Sequence, residues 1–147
     1  MMKKGIVLFL LLGSFTFFIS CDLDDDTQNF HFITLTVLEA NVPESFELNR
    51  TYDIEVTYLR PNSCTFFEGY DVTKTAQTER NIALIGSVLT DETACTEAVE
   101  EVEAIFRFNV IFTGEYTFRF YAGNDENDEA VYLEYTIPVE TESTDQN

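Results

Sequence analysis

The chain has no tryptophan, one histidine, three cysteines and three prolines in 147 residues. His31, with no nucleophile or carboxylate at a recognisable spacing, reads as structural rather than catalytic. One histidine and no Cys-x-x-Cys pair leave too few ligands for a zinc site. Gly-x-Ser-x-Gly, P-loop, Gly-x-Gly-x-x-Gly and His-Glu-x-x-His patterns are all missing. Acidic neighbours such as Glu100–Glu101 arise by chance in so acidic a chain, and the chain is small for a polysaccharide-cleaving enzyme with its own cleft. The expectation is a protein with no catalytic residues and no cofactor. Basic residues are also scarce, 8 against 27 acidic, for a net charge of −19. That balance repels nucleic acid and gives no polybasic attraction to anionic lipid. Solubility is its preferred meaning, with cationic partners or divalent cations as the sharper one. No apolar run reaches the roughly 20 residues of a membrane span.

What is present begins at the N-terminus. Lys3 and Lys4 precede an apolar run from Gly5 to Ile19, followed by the small Ser20. That is the layout of a secretory signal. Phe18-Ile19-Ser20-Cys21 resembles the lipobox of bacterial lipoproteins, a family that favours Leu at the place of Phe18. The resemblance implies removal of residues 1–20 and a diacylglyceryl thioether on Cys21. Stable attachment takes at least two membrane signals, which a diacylglyceryl group supplies. The alternative is an ordinary signal peptide that leaves Cys21 a free thiol. Removing Lys3 and Lys4 leaves six of the eight bases against 27 acids and takes the net charge from −19 to −21.

Residues 22–29 form an acidic, aperiodic stretch that reads as an extended tether. It resembles the export signal of surface-displayed lipoproteins of the Bacteroidetes type, with Leu23 interrupting the acidic cluster. That resemblance implies an outer-membrane protein facing the exterior. In enteric-type lipoproteins an Asp at the place of Asp22 implies inner-membrane retention instead, so the periplasmic faces of either membrane stay open. Lipidation would leave Cys64 and Cys95, which in an exported protein allow one intramolecular pairing, Cys64–Cys95.

From Phe30 the hydrophobic period becomes two. The inward sets are Ile33/Leu35/Val37, Tyr52/Ile54/Val56/Tyr58, Phe106/Phe108/Val110/Phe112, Tyr116/Phe118/Phe120 and Val131/Leu133/Tyr135/Ile137. This alternation marks half-buried antiparallel strands. Further strands are expected near 64–72 and 80–89. Val42–Asn49 reads as a turn leading into a strand, and Thr96–Glu103 as a short helix. Gly114-Glu115-Tyr116-Thr117-Phe118 resembles the tyrosine-corner region of immunoglobulin-like domains, with Phe118 where antibody domains carry a cysteine. Lacking Trp, the chain is closer to the broader Ig-like or fibronectin-like group. The expected fold is all-β: one Ig-like antiparallel β-sandwich of about seven strands over 30–140, then a polar tail at 141–147.

Two further groups are candidate sites. Asp125, Asn127 and Glu129 present oxygens at alternate positions, as calcium loops do, although the Gly and distal Glu of an EF-hand are missing. Asp24–Asp26 share that weak pattern. Tyr121 and Tyr132 fall on the faces opposite their strands' apolar sets and can form an exposed pair for sugar or protein, or pack across strands. Asn49-Arg50-Thr51 is a sequon without meaning in a bacterial lipoprotein. The expected function is a membrane-anchored, non-enzymatic binding or envelope-interaction module with a protein or glycan partner. The alternatives are a hydrolase inhibitor and an accessory carbohydrate-binding component of a surface uptake system.

Overall fold

A computed structural model describes residues 29–91 and 94–140. The signal peptide at 1–20, Cys21, Asp24–Asp26 and the tail at 141–147 lie outside the described residues. The elements are β1 (Phe30–Leu35), β2 (Val37–Asn41), β3 (Phe46–Glu47), β4 (Thr51–Arg60), β5 (Thr65–Lys74), β6 (Glu79–Leu89), β7 (Glu100–Asn109), β8 (Tyr116–Asn124), β9 (Ala130–Ile137) and β10 (Val139–Glu140). They form a five-stranded sheet of β5, β6, β1, β8 and β9, a three-stranded sheet β2-β4-β7, and the short pair β3–β10. The all-β sandwich is as expected. The strands near 64–72 and 80–89 exist and are longer than expected.

Alternation explains which face each strand buries. Ile54, Val56 and Tyr58 of β4 point inward, as do Tyr116, Phe118 and Phe120 of β8. They meet Leu35, Val37, Phe46, Ile82, Leu84, Phe106 and Ile137 in one core. Aromatic rings supply the bulk that a tryptophan would otherwise give. Phe108 packs edge-on against Phe118 at 4.8 Å, and Phe46 lies 4.7 Å from Tyr52. Each such contact adds about 0.5–1.5 kcal/mol beyond area burial.

Three inward tyrosines give their hydroxyls to the backbone. Tyr116 accepts from the amides of Ile111 and Phe112, 3.3 and 3.0 Å away. This is the tyrosine corner that Gly114-Glu115-Tyr116 foreshadowed, and Gly114 takes the φ of +125° its approach requires. Tyr135 accepts from Ala40, and Tyr52 from Glu47.

Thr96–Glu103 is not a helix. Residues 95–99 are irregular, and from Glu100 the chain pairs with β4, from Arg60↔Glu100 to Thr51↔Asn109. Val102, Ala104, Phe106 and Phe108 keep period two, and pairing with β4 outweighs the helical propensity of a Glu-rich stretch. One main ladder departs from the antiparallel pattern: β6 and β8 run parallel over Glu79–Ile82 and Thr117–Phe120. The chain leaves β6, crosses to the other sheet for β7, and returns in β8 with β6's direction, the crossover a parallel pair needs.

Cys64 and Cys95 are disulfide-bonded, with Cα atoms 5.5 Å apart. Ser63 and Thr96 bond backbone to backbone beside them. The staple thus sits just beyond the Arg60–Glu100 end of the β4–β7 ladder, where one strand hands over to β5 and the other enters from β6.

Candidate functional site

The outer face of the five-stranded sheet carries the exposed aromatics. Its centre is β6, whose side chains at 81, 83, 85, 87 and 89 point away from the core. Two of them, Ala83 and Ser87, are small. Larger side chains on the flanking strands therefore stand as walls over two hollows.

The first hollow is about 450 Å³ and is lined by Phe30, Phe32, Phe66, Glu68, Ser87 and Leu89. Register builds it. Phe32 of β1 and Phe66 of β5 both pair with Ser87, so two rings flank one hydroxyl. Phe30 pairs with Leu89 one step along and meets Phe32 edge-on at 5.2 Å. Phe30, Phe32 and Phe66 are 53%, 63% and 50% exposed. Burying one such ring is worth about 1.5–3 kcal/mol, so three together are costly to leave in water.

Glu68 arrives through a β-bulge. The β5–β6 register steps from Phe67↔Gly86 to Gly69↔Ile85, leaving Glu68 unpaired, and Gly69 takes φ +151°. The bulge sets Phe67 and Tyr70 on the core side of the strand together, 5.2 Å apart, with Phe67 at the edge and still 36% exposed. It also lays the Glu68 carboxylate over Ser87, whose hydroxyl donates to it at 2.5 Å. Inward-facing Tyr70 pays for its position: burial pushes its hydroxyl pKa upward, and the nearby Tyr58 adds to the rise.

The second hollow, about 340 Å³, lies near Ala83 and is bounded by Asp71, Thr73, Asn81, Tyr121 and Tyr132. Ser87 and Ala83 are four residues apart on one strand, about 13 Å. Tyr121 and Tyr132 are register partners on β8 and β9, as their sequence parity suggested. Their rings meet edge-to-face, 6.2 Å apart at 77°, so they offer no flat two-ring platform. Tyr121 donates to Asn124, and Tyr132 remains 42% exposed. The Asn81 side-chain oxygen is buried here without a hydrogen-bond partner.

The hairpin loop uses its oxygens for hydrogen bonds within itself. Asp125 accepts from the amides of Asn127 and Glu129 at 2.8 and 2.9 Å, and Asn124 donates to Asp128. Those two amide bonds hold the Asp125 carboxyl below the usual carboxylate range. Asp125, Asn127 and Glu129 therefore close their own loop. Among the described residues no group of three or more His, Cys, Asp or Glu is placed to hold a metal ion. His31 sits on β1 opposite Val88, outside both hollows.

The first hollow was missed by pattern reading. Its signal was available: Phe30 and Phe32 are out of phase with Ile33 and Leu35, and Glu68-Gly69 interrupts a strand as bulges do.

Residues 54–142 match the family model of the ORF11 beta-sandwich domain. The match runs from within β4 through β10 and so takes in Phe66, Glu68, Ser87, Tyr121 and Tyr132, while Phe30 and Phe32 precede it. No curated protein and no solved structure matches the chain.

Proposed function

The chain belongs to the ORF11 beta-sandwich domain family, and on that premise we propose that it is a lipid-anchored, non-enzymatic binding module of a bacterial envelope. In this reading Cys21 carries a diacylglyceryl group, residues 22–29 tether the domain, and the protein is displayed on the outer membrane of a Bacteroidetes-type cell. The lipobox-like Phe18-Ile19-Ser20-Cys21 and the acidic run behind it support the address. The observation that carries the activity is the row Phe32–Ser87–Phe66 beside Phe30 and Glu68, an aromatic-walled hollow on an open sheet face. Exposed apolar patches of this kind, rimmed by polar residues, mark interaction sites, and the preferred partner is a protein.

The test is capture from the native envelope by the intact protein. A Phe32→Ala/Phe66→Ala variant should lose the partner, whereas Glu55→Gln on the outer face of the other sheet should keep it. Equal capture by all three proteins overturns the reading.

A glycan partner is the second reading, favoured by the unpartnered Asn81 oxygen beside Tyr132, Asp71 and Thr73. A buried acceptor without a donor suits a sugar hydroxyl. Titration with an oligosaccharide panel should then show binding that Tyr132→Ala and Asn81→Ala weaken. Saturation insensitive to both variants excludes this hollow.

A further inference from the structure

We propose that the hollow of Phe30, Phe32 and Phe66 receives an arginine side chain of a partner protein, with Glu68 as its counter-ion. The proposal rests on the binding-module reading and names the chemistry of its contact.

The first argument is charge. Glu68 lines the hollow as an exposed side chain beside the aromatic rings, and the buried Ser87 donates to it. A carboxylate has about four lone-pair sites, so Ser87 occupies a fraction of its capacity. No salt bridge of the described residues involves Glu68. Glu68 is exposed and keeps lone pairs free beside the aromatic rings, where an incoming cation can donate charge-assisted hydrogen bonds to it.

The second argument excludes this chain as the source of the cation. Arg50 pairs with Glu47, Arg60 with Glu100, Arg107 with Asp53, and Arg119 with both Glu79 and Glu134. Arg80 points inward and donates to the carbonyls of Ala76, Gln77 and Glu79. Lys74 lies over the Phe112 ring at 5.3 Å. Every lysine and arginine from residue 29 onward has a contact within the chain. A second copy also carries the net charge of −19 and is repelled, so the partner is a different, basic protein. The surplus of acid, 27 against 8, favours the same kind of partner.

The third argument is shape. Phenylalanine faces attract cations, and this chain already uses that attraction at Lys74–Phe112 and Arg80–Phe108. A guanidinium is planar, weakly hydrated and forked. It can lie against a ring while its N–H groups reach a carboxylate, which an ammonium does less well. Phe32 and Phe66 stand on either side of Ser87, with Glu68 beside it, so a flat group between the rings meets the carboxylate at its edge.

The experiment is an NMR titration of the intact protein with three capped tripeptides, Gly-Arg-Gly, Gly-Lys-Gly and Gly-citrulline-Gly. Citrulline keeps the shape of arginine and loses its charge. The expected result is saturable shifts at Phe32, Phe66 and Ser87 with the arginine peptide. The citrulline peptide should bind about tenfold more weakly, a difference of about 1.4 kcal/mol, and the lysine peptide should fall between. Glu68→Gln should abolish the difference between arginine and citrulline, and Phe32→Ala should weaken all three. Both side chains are exposed, and the fingerprint spectrum reports that each variant is folded. Equal binding of arginine and citrulline peptides, or an unchanged preference in Glu68→Gln, overturns the proposal. So does tighter binding of phosphatidylcholine vesicles, which would make the cation a lipid headgroup. If the arginine peptide fails to shift these residues while envelope capture still depends on Phe32 and Phe66, the arginine assignment falls and the binding module stands. If capture ignores both phenylalanines, the module reading falls on its own test.

Discussion

Tyr116 shows what a single atom does here. Its ring is fully buried, and its hydroxyl is the acceptor for two backbone amides in the crossing from β7 to β8. Tyr116→Phe keeps the ring and strands both donors, so unfolding free energy should fall by about 1–3 kcal/mol. A urea titration reads this, and a loss below about 0.5 kcal/mol would mean water takes over the amides. Tyr135→Phe, which frees only the Ala40 amide, should cost less. Asp125 works in the opposite sense, as an acceptor whose charge matters. Its folded-state pKa lies below the ordinary value of about 3.9. The stabilisation it gives is therefore present above that value and lost as pH falls through the lower, folded one. Amide exchange at Asn127 and Glu129 should be slow at neutral pH and accelerate below about pH 4 beyond the intrinsic trend. Asp125→Asn, which does not titrate, should lose that acid step. The Tyr116 contact was legible in the sequence because glycine and tyrosine are close neighbours. The Asp125 contact was visible only as spaced oxygens, a pattern that a metal loop and a self-capped turn share.

Individual strands were the most legible part of the chain, and their partners the least. Alternation alone placed β4, β8 and β9. Of these, β4 and β8 bury every second side chain over most of their length, while β9 turns inward only from Leu133 and leaves Val131, expected inward, 42% exposed. The 96–103 stretch misled because its composition favours helix, while its partner β4 lies some 40 residues earlier, as in Arg60↔Glu100. No local pattern carries such a pairing. The bulge at Glu68 depends likewise on where β6 lies. The disulfide acts at this scale. It closes a loop of sequence separation 31 and joins the lead-ins of β5 and β7. Chain-entropy arguments value that closure at about 3–4 kcal/mol, a large share of a typical domain's 5–15 kcal/mol. Reduction should lower the guanidinium midpoint accordingly, and non-reducing mass spectrometry should find no free thiol at Cys64 or Cys95. An unchanged midpoint after verified reduction would assign the stability to the ladders alone.

The molecule as a whole is strongly acidic, and its ion pairs do little to offset that. The pairs Arg107–Asp53 and Arg119–Glu134 are solvent-exposed, where such contacts contribute about 0–1 kcal/mol. The core and the ladders hold the fold, and the surplus charge is left to govern association. On the proposed address, Cys21→Ala should release the protein from membranes into the soluble fraction. Attachment that persists in this variant removes the lipid anchor from the account. The two hollows were not legible because one needs three strands in register and the other five, and the sequence sets those strands far apart.

The first strand has a mechanical consequence. A tug arriving through Asn29 meets its hydrogen bonds to Thr90 and Asp91 and then β1, which is joined to β6 by six register pairs. Pulled along its axis, β1 shears those rungs together. Beyond Thr36 it also drags β2 against β4, so both layers bear the load. Pulled away from the sheet, it peels from Phe30↔Leu89 one rung at a time, and Phe30 and Phe32 leave the hollow first. On the proposed binding reading, the hold of that hollow is coupled to the direction of force: firm in shear, self-releasing in peel.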